Sequence, residues 1–209
     1  MSKLENMWAD ILSKNPSQSA IRYVIRYVDY LHHEAVEAYL QRNPTNQDLC
    51  WLLRQYYGGP HIEKAAEMLL ARNPRNHELR LILKQPYAAW RKKTGLRILE
   101  QQPTYDDLVF LMKEFRYFEE EIADTAAERL LQGSLPNAVL RTIVAQNKKM
   151  RLQAAAVLFA QEPSDVDCRC IIEHVPSLKS DAMKKMSENE QWRQKLKAIR
   201  KEQKRVRGG

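Results

Sequence analysis

The residues best placed to do chemistry in this sequence are cations. Arg26, Arg54, Lys84 and Lys113 each follow a pair of adjacent apolar residues, where Ala145 and Glu173 stand at the last two equivalent positions. One helical turn earlier in the same pattern come Arg22, Arg80, Arg141 and Arg169, with Cys50 and Val109 between them. Packed helices lie ~8–10 Å apart, so stacking these segments would align the eight cations into a discontinuous basic ribbon. Such a ribbon suits a phosphate backbone or an acidic protein surface. The plainer alternative is a solvated helix face, because cations late in a helix are favoured by its dipole. A second basic group closes the chain: Arg193, Lys195, Lys197, Arg200, Lys201, Lys204, Arg205 and Arg207, opposed only by Glu202. It has the character of an arm for nucleic acid or acidic protein, or of a solubilising tail.

Other candidates are weaker. Cys168, Cys170 and His174 lie close together, but Cys168 falls at a position expected in the core and a fourth zinc ligand is missing. His32-His33-Glu34 lacks two histidines four residues apart, which a helical zinc protease site needs. Tyr23, Trp51 and Phe110 interleave with the basic ribbon and could stack bases, although Leu81, Thr142 and Cys170 share their repeat position and favour packing. Tyr27, Tyr30, Tyr56, Tyr57, Tyr87 and Trp90 gather near expected turns, as an exposed edge or a cover for the core. There is no phosphate-cradling glycine loop and no nucleophile elbow. The acids Glu119, Glu120 and Glu121 open a helix, where its dipole favours them.

The elements that must position these residues are written in the punctuation. Asn15-Pro16, Asn43-Pro44, Asn73-Pro74, Gln102-Pro103, Gly133 and Glu162-Pro163 break the chain every 28 to 30 residues. Proline removes an amide donor and disfavours helix in the residue before it. After three of the breaks stand Thr45/Asp48, Thr104/Asp107 and Ser164/Asp167, a hydroxyl followed three residues later by an acid, as in a capping box. First helices then carry the pairs Val24-Ile25, Leu52-Leu53, Ile82-Leu83, Leu111-Met112, Ile143-Val144 and Ile171-Ile172. Second helices place Ala65-Ala66, Ala126-Ala127 and Ala154-Ala155 one turn before an apolar pair, so that helices can approach closely. Helices of ~12 residues are marginal alone and need stacked neighbours to bury both stripes.

This unit, as in NPTNQDLCWLL and QPTYDDLVFLM, resembles HEAT-like repeats of the short bacterial type, with a relation to leucine-rich-repeat-variant solenoids. The resemblance spans about Ser17 to Met186 and implies an all-α, right-handed α-solenoid of about six helical hairpins. It also implies a binding scaffold. The units lack the Gly-Asp turn of phycobilin-lyase repeats. No motif transfers the catalytic residues of the HEAT-like DNA glycosylases.

The expected organisation is a repeat domain over residues 1–187 and a basic C-terminal helix and tail over 188–209. Residues 3–14 read as a capping helix with Trp8, Ile11 and Leu12 inward. The composition, 44% hydrophobic and 29% charged, is that of a folded chain, and no apolar run is long enough to span a membrane. Three cysteines and a charged amphipathic start point to reduced thiols, no signal peptide and a cytoplasmic setting. The expected function is therefore a non-enzymatic adaptor without cofactor or metal, docking an acidic macromolecule. The alternative is a nucleic-acid-binding protein using the ribbon and, from the arm, Arg193, Lys197, Arg200, Lys201, Lys204 and Arg205.

Overall fold

The structure, a computed structural model, describes the backbone of residues 7, 10–14, 16–55, 59–86 and 88–207. Side chains are described for these except 30, 88, 196 and 200–207. The described residues are mostly helical and contain no strand. The chain divides into two compact units, Met1–Gln102 and Pro103–Gly209.

In unit 1, after a helical stretch over residues 10–13, come α1 (Gln18–Tyr27), α2 (His32–Gln41), α3 (Asn46–Gln55), α4 (Pro60–Leu70), α5 (Asn76–Leu83) and α6 (Ala88–Glu100), with a short 3-10 turn Asp29–Leu31 before α2. They pack as the pairs α1/α2, α3/α4 and α5/α6. Neighbouring pairs join through α3 on α5 and α2 on α4. Unit 2 has the same plan. Its helices are α7 (Tyr105–Glu114), α8 (Glu120–Leu131), α9 (Asn137–Gln146), α10 (Arg151–Ala160), α11 (Asp165–His174) and α12 (Lys179–Arg207). The pairs are α7/α8, α9/α10 and α11/α12, with α9 on α11.

The apolar pairs form the core as expected. Eleven of the twelve paired residues are buried, and Ile172 is half-buried. Each buried branched aliphatic side chain contributes about 1.5–3 kcal/mol relative to exposure. Ala65, Ala66, Ala126, Ala127, Ala154 and Ala155 are all fully buried, where a larger side chain would push the helices apart. Thr104 and Ser164 cap α7 and α11 in reciprocal capping boxes with Asp107 and Asp167. The breaks before proline have a specific geometry. Asn43, Asn73, Gln102 and Glu162 all take left-handed φ values between 51° and 55°. That conformation ends a helix sharply and directs the chain back for the next one.

Ile11 and Leu12 are half-buried, while Trp8 lies outside the described residues. Ala182 is fully buried and Met186 half-buried on α12. The expected boundary after Ser187 falls inside α12, which continues without a break to Arg207.

Candidate functional site

The first helices are tied to one another by buried carboxylates. In unit 1, Asp48 of α3 is 5% exposed, and its Oδ2 accepts from the Thr45 amide at 2.8 Å and hydroxyl at 2.7 Å. From α1, Gln18 Nε2 donates to it at 3.1 Å, and Arg22 forms an ion pair with Oδ1. Buried Tyr39 of α2 closes the network. It accepts from Arg22 Nε at 2.8 Å and donates to Asp48 at 2.9 Å. Burial works against the Asp48 charge most strongly. The Thr45 bonds, the Tyr39 hydroxyl and the Arg22 charge together outweigh it and hold the carboxyl below its ordinary value. Burial pushes the Tyr39 phenol up to about 12, so it stays a proton donor across the physiological range.

Unit 2 repeats the device. Asp167 of α11 is 1% exposed, capped by Ser164, bonded by Asn137 Nδ2 at 2.9 Å and ion-paired with Arg141, both of α9. Burial again opposes the charge, and the Ser164 and Arg141 bonds hold its carboxyl low. The spacing from arginine to aspartate is 26 residues in both units. Two members of the expected ribbon, Arg22 and Arg141, are thus ion-paired with buried carboxylates while staying half-buried themselves. Between α3 and α5 the same place holds a weaker contact, with Cys50 Sγ 4.0 Å from Glu78 Oε1. Burial, then the Glu78 charge, pushes the Cys50 thiol up to about 11, which removes it as a nucleophile at neutral pH.

The other ribbon residues fall differently in the two units. Arg26, Arg54 and Lys84 stand exposed at equivalent places near the ends of α1, α3 and α5, and Arg80 is half-buried. Around Arg26 lie exposed Tyr23 and Tyr27, their ring centroids 4.8 Å apart. The Arg22 guanidinium sits 5.2 Å from the Trp51 ring and completes an open groove of about 500 Å³ with these residues. The only carboxylates on α1, α3 and α5 are Asp48 and Glu78, and both are buried. The outward surface of these three helices is therefore free of acid.

In unit 2, Lys113 and Arg169 are exposed, but so are Asp106 and Glu173. Arg193 of α12 is paired with Asp165 and Glu190, and Lys197 is exposed. Arg200, Lys201, Lys204 and Arg205 continue α12, with side chains outside the described set. Phe110 and Trp90 are half-buried, whereas Tyr56, Tyr57 and Tyr87 lie outside the described residues. Cys168 is fully buried. Burial pushes its thiol and that of Cys170 up, and Cys170 Sγ donates to the Arg141 carbonyl at 3.7 Å. Among the described residues no group of three or more metal-ligating side chains converges.

Sequence patterning missed several structural donors. Arg42 and Arg72, each directly before an Asn-Pro break, donate to the carbonyls of Pro16 and Pro44 in the preceding turn. Arg151 donates to Val144 O at 2.7 Å and to His174 O at 3.3 Å, closing the ends of α9 and α11. The repeated Arg-Asn-Pro triplet was the available signal for the first two.

No protein-family model, curated protein or solved structure matches this chain.

Proposed function

We propose that the chain is a cytoplasmic, non-enzymatic α-solenoid adaptor that docks an acidic macromolecule on the first-helix face of unit 1. In this reading the hairpins of each unit are turns of a HEAT-like, right-handed superhelix. One observation carries it: Arg26, Arg54 and Lys84 are exposed at equivalent positions of three successive first helices that present no carboxylate. An acidic partner there meets attraction at each step and no exposed carboxylate on these three helices, which favours fast encounter and fixes register. The free, high-pKa thiols fit a reduced compartment.

A second reading, binding of single-stranded nucleic acid, is favoured by Tyr23, Tyr27 and Trp51 beside Arg26, since aromatics next to cations stack bases. Fluorescence anisotropy over a salt series separates the two, using labelled poly-glutamate and oligouridylate as probes. The adaptor reading expects salt-sensitive poly-glutamate binding that falls about tenfold or more in Arg54→Glu/Lys84→Glu. Tighter binding of oligouridylate that is lost in Tyr27→Ala would transfer the face to nucleic acid. No binding of either probe at low salt would sink both readings.

A further inference from the structure

Unit 2 holds a cavity of about 300 Å³ at the turn ends of its first two hairpins, where α7 meets α8 and α9 meets α10. Small-molecule sites begin at roughly this size, ~300 Å³. Its charged lining sorts by what each group already does. Arg151 spends its guanidinium on backbone carbonyls, and Asp124 accepts from Asn147 Nδ2 at 2.9 Å with Lys149 3.9 Å away. That leaves exposed Lys148 and half-buried Arg116 as the cations facing the opening, with Glu120 at the rim. The Arg116 guanidinium lies 4.4 Å from the Tyr117 ring centroid, and Tyr117 is 71% exposed. The ring is thus steadied by a cation and still open to stacking.

The two units diverge at one equivalent glutamine. Gln85 and Gln146 both stand two residues past a first-helix apolar pair. In unit 1, Gln85 Nε2 donates to the Leu53 carbonyl of the preceding first helix at 2.9 Å. Gln146 makes no such bond, and its Oε1 is buried without a partner on the cavity wall. A buried acceptor left unpaired is costly, so it marks a place where a donor belongs.

We propose that this cavity binds a nucleoside monophosphate whose base carries an N–H donor. The base stacks on Tyr117 and donates to Gln146 Oε1. The phosphate meets Lys148 and Arg116, and Glu120 accepts from a ribose hydroxyl. The site lies wholly in unit 2, so it stands or falls independently of the docking face on unit 1.

Isothermal titration of the full chain with adenosine monophosphate, adenosine and inorganic phosphate tests this assignment. The nucleotide should bind saturably, and each fragment at least about tenfold more weakly, the factor that one lost charged or hydrogen-bonded contact produces. Gln146→Leu and Lys148→Glu should each weaken the nucleotide by about tenfold. Gln146→Leu should leave the melting temperature of the unliganded protein unchanged or higher, because it removes an unpaired buried acceptor, so its loss of binding is not unfolding. Phosphate binding as tightly as the nucleotide would overturn the assignment in favour of a plain anion site. Absence of saturable nucleotide binding, or affinity indifferent to both substitutions, would overturn it outright.

Discussion

The two units share a plan and differ in what they turn outward. Inside, each joins first helices through a buried aspartate that caps its own helix and takes an arginine from 26 residues earlier. Outside, unit 1 shows Arg26, Arg54 and Lys84 on acid-free first helices, whereas unit 2 shows Lys113, Ala145 and Glu173 at the same positions, with Asp106 also exposed. The inner pattern answers to folding, because an unpaired buried carboxylate is too costly to keep. The outer pattern takes no part in these buried pairs, and on the first helices of unit 1 its charge is one-sided.

The largest expected effect tests the shared interior. Asp48→Ala and Asp167→Ala should each lower the unfolding free energy by about 3 kcal/mol, since each leaves an arginine and several donors unmatched. Urea denaturation monitored by circular dichroism checks this, and a loss in only one unit would break the equivalence. The same carboxyls set the acid response. Their folded-state pKa values lie below the unfolded value, so their contribution is complete above about pH 4 and is lost as pH falls through the depressed values. Each alanine variant should therefore lose less stability than the parent protein on acidification through this range.

Much of this interior was legible in the sequence. The apolar pairs, the paired alanines and the hydroxyl-acid caps each follow a local rule, and local rules can be read from spacing. What Arg22 and Arg141 do was not legible, because their aspartate lies in the next hairpin. Periodicity says which positions are equivalent but not which neighbour each one reaches. The same holds for Gln146, whose meaning appears only beside the satisfied Gln85. The extent of α12 was under-read for a different reason. Its apolar pattern thins to Trp192, Leu196 and Ile199 and then ends, yet no glycine or proline interrupts the helix, and Lys, Glu, Gln and Arg are good helix formers even when exposed.

A smaller effect sharpens the exterior contrast. Ala145→Lys/Glu173→Lys would give unit 2 the row of cations that unit 1 already has. With poly-glutamate as probe, this variant should gain roughly three- to tenfold in affinity at low salt, and the gain should vanish at high salt. An unchanged affinity would mean that a row of cations is not sufficient and that the Tyr23–Tyr27–Trp51 groove is needed. A gain in Arg54→Glu/Lys84→Glu to which both cations are added in unit 2 would show that either unit can carry the docking face.

The smallest effect concerns the left-handed residues that turn the chain between hairpins. Between its hairpins unit 1 uses Asn43 and Asn73, and asparagine tolerates this conformation, whereas Gln102 takes it where unit 1 ends. Asn73 also accepts from Arg97 at 2.7 Å through its side chain. Unit 2 uses Glu162 at φ 54°, a residue with no such tolerance. Glu162→Asn should therefore stabilise the protein by about 0.5 kcal/mol, while Asn73→Ala should cost about 1 kcal/mol or more because it adds strain and removes the Arg97 acceptor. Thermal unfolding of the two variants reads both signs. Equal and small changes in both would mean that the turn is set by the following proline rather than by the residue that takes positive φ. Opposite signs would place the tolerance in the asparagine side chain, and would explain why the hairpins of unit 1 combine Asn-Pro turns with an arginine clamp that unit 2 lacks before Pro163.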